Sequence, residues 1–325
     1  MIILFTHNDL DGLSCALLAQ LAFGIEEVDF ETCRYEDINE KFEAYISEKQ
    51  YLNYSHCFIT DISINNELAT KIDDLMHDSS FIENNNGMPL KLSLIDHHIS
   101  AQSLDTYKWC HVEVANNLGI KGCGTTLFLR ALKEVNAPNN KLLSSPLVRT
   151  YVEKVRRYDV WDWQALEDLE AKQLNDLFFI LGKERFLTYW YNRMLDDQGT
   201  FSFDSTHKLL LELKQNEIDK YIEARDEELI TTEIAGYKAG VVFACRFQSE
   251  LGNQLATLHP ELDFIAMINV GGGVSCRTVK EDVNLAEIAA LFGGGGHAKA
   301  AGLPVPDEIR QLVINNLFHI ENDEM

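Results

Sequence analysis

Acidic and histidine side chains follow three separate apolar runs of this sequence, at the point where each run ends. Because carboxylates that lie close together repel one another, some of them must stay protonated unless cations offset their charge. Carboxylate oxygens and imidazole nitrogens are both ligands of divalent metals. If the three runs lie side by side in the fold, they predict a site for two divalent metal ions. The side chains concerned are His7, Asp9 and Asp11 after the first run, Asp61 after the second, and Asp96, His97 and His98 after the third.

The runs themselves have the composition of buried parallel strands. Residues 2–6, residues 56–60 and the run that ends at Ile95 are short, apolar and without polar alternation, which is typical of strands covered on both faces. Helical patterns lie between them, so the order of elements predicts a doubly wound α/β domain. In such a sheet the ligand lies in the crevice outside the carboxyl ends of the strands. The intervening segments are a helix over 12–24, a strand over 28–33, helices over 37–49 and 67–76, and a loop over 84–89.

Two further segments bear on the same site. Asp159 and Asp162 lie in an apolar, aromatic stretch, and either could supply a fourth acid; a helix end with exposed acids is the alternative for both. Asp159 fits better, because Asp162 can simply cap the next segment. A helix over about 122–135 starts with glycines that can bind an anion, although a plain helix entry is the commoner meaning of this pattern.

The C-terminal region returns to strands after a long helical stretch. A strand over 263–270 turns through three glycines into 274–279, which predicts a hairpin, and alternation puts Ser275 and Arg277 on one face. Four consecutive glycines before His297 suit a phosphate cradle, because their N–H groups are uncovered; a flexible linker is the alternative. We predict that Ser275, Arg277, Gly294, Gly295, Gly296 and His297 bind substrate.

Three parts of the chain follow from these elements. Residues 1–190 would form the metal-binding catalytic domain with a mainly parallel sheet. Residues 191–232 would form a helical connector, and residues 233–318 a smaller α/β domain that binds substrate. The chain of 325 residues is long enough for two such domains.

Composition restricts the partners. The net charge is −23, with 51 acidic against 28 basic side chains, which argues against a long duplex, because backbone binding needs a continuous basic face. A short oligonucleotide or a nucleotide is compatible with this charge. Seven cysteines without a CxxC pair, no basic leader and no long apolar run predict a cytoplasmic protein away from membranes. The composition leaves a homodimer open.

The motifs, taken in order, resemble those of the DHH superfamily of phosphoesterases. Residues 7–12 look like its first motif, Asp61 its second, Asp96-His97-His98 its third, and Asp159 would be its fourth. Residues 293–302 look like the GGGH motif of the DHH-associated C-terminal domain, with Ser275-Cys276-Arg277 on the strand before it. The resemblance spans nearly the whole chain.

The resemblance implies two metal ions, manganese by expectation. Asp61 would bridge the two metals as a catalytic ligand, His98 would lie near the substrate phosphate, and Asp96 would orient the imidazoles. In exonuclease-type members, an acid occupies the position of His7. The implied ligands are His7, Asp9 and Asp61 for one metal, and Asp11, Asp61, His97 and Asp159 for the other.

The implied activity is hydrolysis of short oligonucleotides by water that two metals activate, as in the nano-RNases of the superfamily. A 3′-phosphoadenosine-phosphate phosphatase and a cyclic or linear dinucleotide phosphodiesterase are alternatives within the class. A processive exonuclease of the RecJ type fits less well, because the chain is short and acidic, and a pyrophosphatase is less compatible with the GGGH motif. A non-catalytic nucleotide sensor on the same fold is the alternative outside the class.

Overall fold

The computed structural model of this chain describes residues 1–84, 90–135, 137–196 and 199–320. It divides the chain into two compact units, Met1–Leu211 (unit 1) and Glu212–Met325 (unit 2). The division falls inside helix α11, Ser205–Asp226. The segment 191–232, for which a separate connector was predicted, is therefore shared between the two units. Residues 85–89 of the predicted loop lie outside the described residues.

Unit 1 is built on a five-stranded sheet in the order β2-β1-β3-β4-β5. Every neighbouring pair is parallel, and this order is one of the common doubly wound arrangements. The prediction of a doubly wound parallel sheet is confirmed, although β5 has only three residues and was not predicted. The strands are β1 Ile2–His7, β2 Val28–Cys33, β3 His56–Thr60, β4 Leu92–Asp96 and β5 Cys110–Val112.

Helices cover both faces of this sheet, because successive apolar side chains of each strand point to opposite faces. Ile2 and Leu4 pack with one group of helices, and Ile3 and Phe5 pack with another, on the opposite face. Side chains of a strand alternate between faces, so the continuous apolar run of β1 serves both cores. Besides α11, the helices of unit 1 are α1 Leu10–Phe23, α2 Ile38–Ser47, α3 Asn66–His77, α4 Ser79–Asn84, α5 Gly124–Glu134, α6 Asn140–Leu143, α7 Pro146–Asp159, α8 Asp162–Ala165, α9 Leu169–Leu181 and α10 Lys183–Leu195.

Unit 2 is a six-stranded sheet in the order β10-β11-β9-β8-β7-β6. Among the residues of unit 2 that the structure describes, only β7 and β8 pair in parallel; the predicted hairpin is the antiparallel pair of β8 and β9. Helices α12 and α13 belong to two different apolar cores of this unit. Its elements are β6 Ile230–Ile234, β7 Tyr237–Phe243, α12 Gln248–Leu258, β8 Phe264–Asn269, β9 Gly273–Arg277, α13 Leu285–Ala290, β10 Gly295–His297, β11 Ala300–Leu303 and α14 Asp307–Phe318.

Candidate metal centre

The polar side chains that follow β1, β3 and β4 meet at the carboxyl edge of the sheet in unit 1. Strand β1 lies between β2 and β3, so the winding of the chain reverses beside it, and such a switch point opens a crevice between the flanking loops. We call the side chains gathered there the acid–histidine cluster. Its members are His7, Asp9, Asp11, Asp61, Asp96, His97, His98 and Asp159.

Three groups within the cluster have ligand atoms that lie within 4.8 Å of one another. The first is His7, Asp9 and Asp61, the second is Asp11, His97 and Asp159, and the third is Asp61, Asp96, His97 and His98. Asp61 belongs to the first group and lies close to His97 of the second. One of its oxygens is 3.8 Å from Nδ1 of His7, and the other is 3.1 Å from Nε2 of His97. A single carboxylate therefore faces both groups, which is the arrangement that a bridging ligand needs.

The structure distinguishes between Asp159 and Asp162, the two acids that the sequence left open as the fourth acid of the metal site. Asp159 is the last residue of α7, and its Oδ2 lies 3.6 Å from Nε2 of His97. Asp162 instead accepts a hydrogen bond of 2.7 Å from Nη1 of Arg156. Only Asp159 of the two lies in the acid–histidine cluster.

Burial and mutual repulsion dominate the electrostatics of the cluster. Asp61 is 1% exposed, and burial together with the charges of Asp11 and Asp9 raises its pKa well above the ordinary value. Burial and the same two carboxylates raise the pKa of Asp159 to about 8. Without a cation, Asp159 would hold a proton near neutral pH, and Asp61 would be protonated more readily than an ordinary aspartate.

The residues fit a divalent cation. One carboxylate oxygen of Asp61 is buried without a hydrogen-bond partner among the described residues, and a buried oxygen in that state is costly. Oxygen and imidazole donors together suit manganese, magnesium or zinc. A cation at this position would satisfy the oxygen and lower the pKa of the surrounding acids at the same time.

The start of α5 binds the side chain of Asp11. The sequence did not reveal this contact. The backbone N–H groups of Gly124 and Thr125 donate to the two carboxylate oxygens of Asp11, at 2.6 and 2.9 Å. The glycine-rich helix start was a candidate for binding an anion, and the anion that it contacts is a side chain of the protein itself. A side chain at Gly124 would collide with Asp61, since a Cβ there would lie 2.5 Å from the Cβ of Asp61.

His98 is held in one orientation by its neighbours. Its Nδ1 lies 2.7 Å from Oδ1 of Asp96, and Asp96 also accepts a hydrogen bond from Ser63. The hydroxyl of Tyr35 lies 3.1 Å from Nε2 of His98. Asp96 thus contacts the imidazole of His98, and its predicted role of orienting the imidazoles stays a prediction, whereas no feature of the sequence pointed to Ser63 or Tyr35.

In unit 2, the predicted substrate-binding residues of β9 contact helix α12. The hydroxyl of Ser275 donates to Gln248 at 2.8 Å, and a guanidinium nitrogen of Arg277 lies 3.2 Å from the hydroxyl of Ser249. Gly252 allows this packing, because a Cβ there would lie 2.6 Å from Cγ of Arg277.

The glycine run of unit 2 is more ordered than a bare loop. The N–H of Gly294 donates to the carbonyl of Ala289 at 2.9 Å, so this amide is engaged by the protein. Gly295, Gly296 and His297 form strand β10, which pairs antiparallel with β11. The run is therefore not a flexible linker. A phosphate contact through its backbone remains a prediction for Gly295 and Gly296, at the edge of the sheet.

A doubly wound sheet with an acid–histidine cluster at its switch point defines a class, the metal-dependent phosphoesterases that the motifs resemble. A scan against models of protein families finds no match. The chain is, however, 33% identical over 320 residues to the oligoribonuclease NrnB of Bacillus subtilis, which covers 98% of this chain and 76% of that protein. The chain belongs to the family of this oligoribonuclease, within the DHH superfamily of phosphoesterases, and it is a hydrolase of phosphoester bonds.

Two solved structures share the fold. The pGpG-specific phosphodiesterase PggH of Vibrio cholerae is 14% identical, with a TM-score of 0.51, over 98% of this chain and 97% of that one. The exonuclease RecJ bound to manganese is also 14% identical, with a TM-score of 0.51, over 96% of this chain and 87% of that one. In the part of the chain that the structure describes, no helix is both long and apolar enough to cross a membrane.

Proposed function

We propose that this protein is a metal-dependent phosphodiesterase that hydrolyses short oligonucleotides. The observation that carries the proposal is Asp61, whose two oxygens face two separate groups of metal-ligand side chains. The oligoribonuclease of Bacillus subtilis that matches 98% of the chain supports the substrate class.

The ligand sets follow from the two groups. His7, Asp9 and Asp61 would hold one divalent ion, and Asp11, His97 and Asp159 would hold a second one that also contacts Asp61. We propose manganese for both, because the fold is shared with an exonuclease bound to manganese and the donors are carboxylates and imidazoles. When bound, the two ions lower the pKa of water and neutralise charge on the phosphate.

The residues of the chain position the substrate. The second ring nitrogen of His98, Nε2, faces the hydroxyl of Tyr35, a residue that is 52% exposed. The imidazole of His98 would donate a hydrogen bond to a phosphate oxygen of the substrate. Asp96 favours the protonated imidazole, since its hydrogen bond raises the pKa of His98. In unit 2, we assign contacts with the terminal phosphate or sugar to Ser275, Arg277, Gly295, Gly296 and His297.

Short substrates are favoured over long duplexes. The net charge of −23 repels the extended phosphate backbone of a duplex, whereas a few phosphates can be bound by two cations and a local arginine. We place the protein in the cytoplasm, because all seven cysteines are free and six of them are buried.

Hydrolysis of end-labelled RNA, from dinucleotides to oligomers several times longer, tests the proposal with manganese and with a chelator. We expect cleavage that requires manganese and falls steeply with length. A rate that does not depend on length would indicate an exonuclease of the RecJ type, and preferential release of phosphate from 3′-phosphoadenosine 5′-phosphate would indicate the phosphatase.

The Asp61→Ala variant is the control for the metal centre. It should lose hydrolysis and remain folded, because removing a buried, strongly repelled carboxylate relieves charge repulsion. Full turnover by this variant would refute the bridging role. Nucleotide binding by the wild-type protein without any cleavage would instead support a sensor.

A further inference from the structure

A cavity of about 310 Å³ adjoins the metal centre on the side of His98. His98 and Asp96 form one wall, and the rest of the lining comes from the loop after β2, the start of α2, the segment between β3 and α3 with the first residue of α3, and the segment after β4. Its volume is at the lower end of the range for small-molecule sites. The polar side chains of the lining are Tyr35, Asn39, Ser63, Asn65, Asn66, Ser100 and Ser103.

Two carboxamides make this cavity rich in hydrogen-bond donors. Oδ1 of Asn39 accepts a hydrogen bond from the backbone N–H of Asn65 at 2.8 Å. Oδ1 of Asn65 accepts from the backbone N–H of Leu68, also at 2.8 Å. Because a backbone N–H can only donate, it fixes which end of each carboxamide is the oxygen. The NH₂ groups of Asn39 and Asn65 have no partner among the described residues, and they can donate to a ligand.

The acceptor in the wall of the cavity is already engaged. Asp96 accepts hydrogen bonds from Ser63, from Nδ1 of His98 and from the backbone N–H of His97. Among the residues that the structure describes, no lysine or arginine lines the cavity. Apart from His98 at the metal centre, the donors of the lining are neutral, and neutral donors beside a carboxylate suit carbonyl oxygens and ring nitrogens better than a phosphate, which needs positive charge.

Tyr35 supplies an aromatic surface at this position. Its ring is 52% exposed, and it is fixed by contacts with His7 and His98, with ring centroids at 5.0 and 6.0 Å. Exposed aromatic rings beside a nucleic-acid site are platforms on which bases stack.

We propose that this cavity is the seat of the nucleobase beside the scissile phosphate, and that it selects keto bases. Guanine presents O6 and N7 as acceptors, whereas adenine presents an amino donor beside N7. The NH₂ groups of Asn39 and Asn65 pair with the acceptors of guanine or uracil and clash in polarity with the amino groups of adenine and cytosine. This inference rests on the proposed function and names the base that the same site prefers.

Dinucleotides with each base in either position, hydrolysed by the manganese-loaded full chain, test the proposal. A keto base should raise kcat/KM about tenfold over an amino base, at one of the two positions only. The decisive variant is Asn65→Asp. It retains the oxygen that accepts from Leu68, and aspartate is as good as asparagine at the start of a helix. Because the variant replaces the donor with an acceptor, the preference should move toward adenine and cytosine. Asn39→Asp should act in the same direction.

The matched control is Asn116→Asp. The Oδ1 of Asn116 also accepts backbone N–H groups, from Leu118 and Ile120, but Asn116 does not line the cavity. Its base preference should equal that of the wild-type protein. The readout is the ratio of kcat/KM for dinucleotides with a keto base to kcat/KM for those with an amino base, because a uniform loss of activity cancels in this ratio.

Three results would overturn the inference or the function beneath it, and they can be told apart. A preference that is absent, or unchanged in Asn65→Asp and Asn39→Asp, refutes the base subsite alone. If these variants change the dependence on a 5′-phosphate instead of on the base, the cavity takes a phosphate. If the wild-type protein cleaves no dinucleotide, the proposed function fails. Calorimetric binding of guanosine and adenosine monophosphates then tests the cavity directly, and equal affinities refute it.

Discussion

Replacing Gly124 with alanine tests whether the start of α5 sets the geometry of the metal centre. The added Cβ would lie 2.5 Å from the Cβ of Asp61 and 2.9 Å from its Cγ and Oδ1. Carbon atoms in contact are normally about 3.5–4.0 Å apart, so Asp61 or the helix start must move by about 1 Å. Asp61 cannot move freely, because its backbone has a φ of 58° and its side chain is buried. The N–H groups of Gly124 and Thr125 also hold Asp11, so a shift of the helix displaces a second ligand.

A displacement of about 1 Å in a catalytic site costs about 100-fold in rate, and overpacking of a core costs about 1–3 kcal/mol of unfolding free energy. We therefore expect Gly124→Ala to lower kcat for a dinucleotide by about 100-fold. Its melting temperature should fall by about 2–4 °C for each kcal/mol lost.

The assay is manganese-dependent hydrolysis together with thermal unfolding of the metal-free protein. Gly271→Ala is the control, because the nearest atom to a Cβ there is 3.6 Å away, and both quantities should stay at their wild-type values. Turnover of Gly124→Ala within about twofold of the wild-type rate, with an unchanged melting temperature, would refute the reasoning, because it corresponds to under 0.5 kcal/mol.

Three further outcomes follow from the same contacts. Asp159→Asn should abolish manganese-dependent hydrolysis and Asp162→Asn should not, because only Asp159 lies near His97; equal losses in the two variants would contradict this assignment. Arg277→Ala should raise KM for dinucleotides by about tenfold or more, the contribution of a charged hydrogen bond, and spare bis-p-nitrophenyl phosphate, whereas equal losses on both substrates would place Arg277 in the chemistry or in the fold. In chelator, the unfolding free energy of the wild-type protein relative to that of Asp159→Asn should decrease as pH rises between 3.8 and about 8. The pKa of Asp159 is raised from 3.8 to about 8 in the folded state, so this side chain binds more protons in the folded state in that window. Manganese should reduce this decrease, and a difference between the two proteins that does not depend on pH in chelator would count against the raised pKa.

Local patterns of the sequence predicted the elements that carry the chemistry. The run over residues 2–6 is apolar and short, so its identity as a buried strand depends on a few neighbouring residues, and the same holds for β3 and β4. Polar side chains directly after such strands must lie at one edge of a parallel sheet. This is why the sequence alone predicts that His7, Asp61 and Asp96 lie close together.

Elements with weak local signals were not predicted. Strand β5 has three residues, Cys110–Val112, and depends on its pairing with β4 for its conformation. Strand β6 is largely exposed, so its sequence lacks the apolar alternation that marks a strand, and its first three residues fall in the segment predicted as the helical connector.

The contacts between distant segments were decided only by the tertiary structure. The sequence left open whether the start of α5 binds an anion, and only the fold places Asp11 there, 113 residues away. The sequence also left open whether Asp159 or Asp162 is the fourth acid of the site, and the packing of α7 decides between them. Tyr35, Asn39 and Asn65 are common surface residues that become a candidate subsite only when three separate segments enclose one cavity. Residue types and local spacing encode which groups can do chemistry, whereas the long-range packing of helices on the sheet decides which of those groups meet.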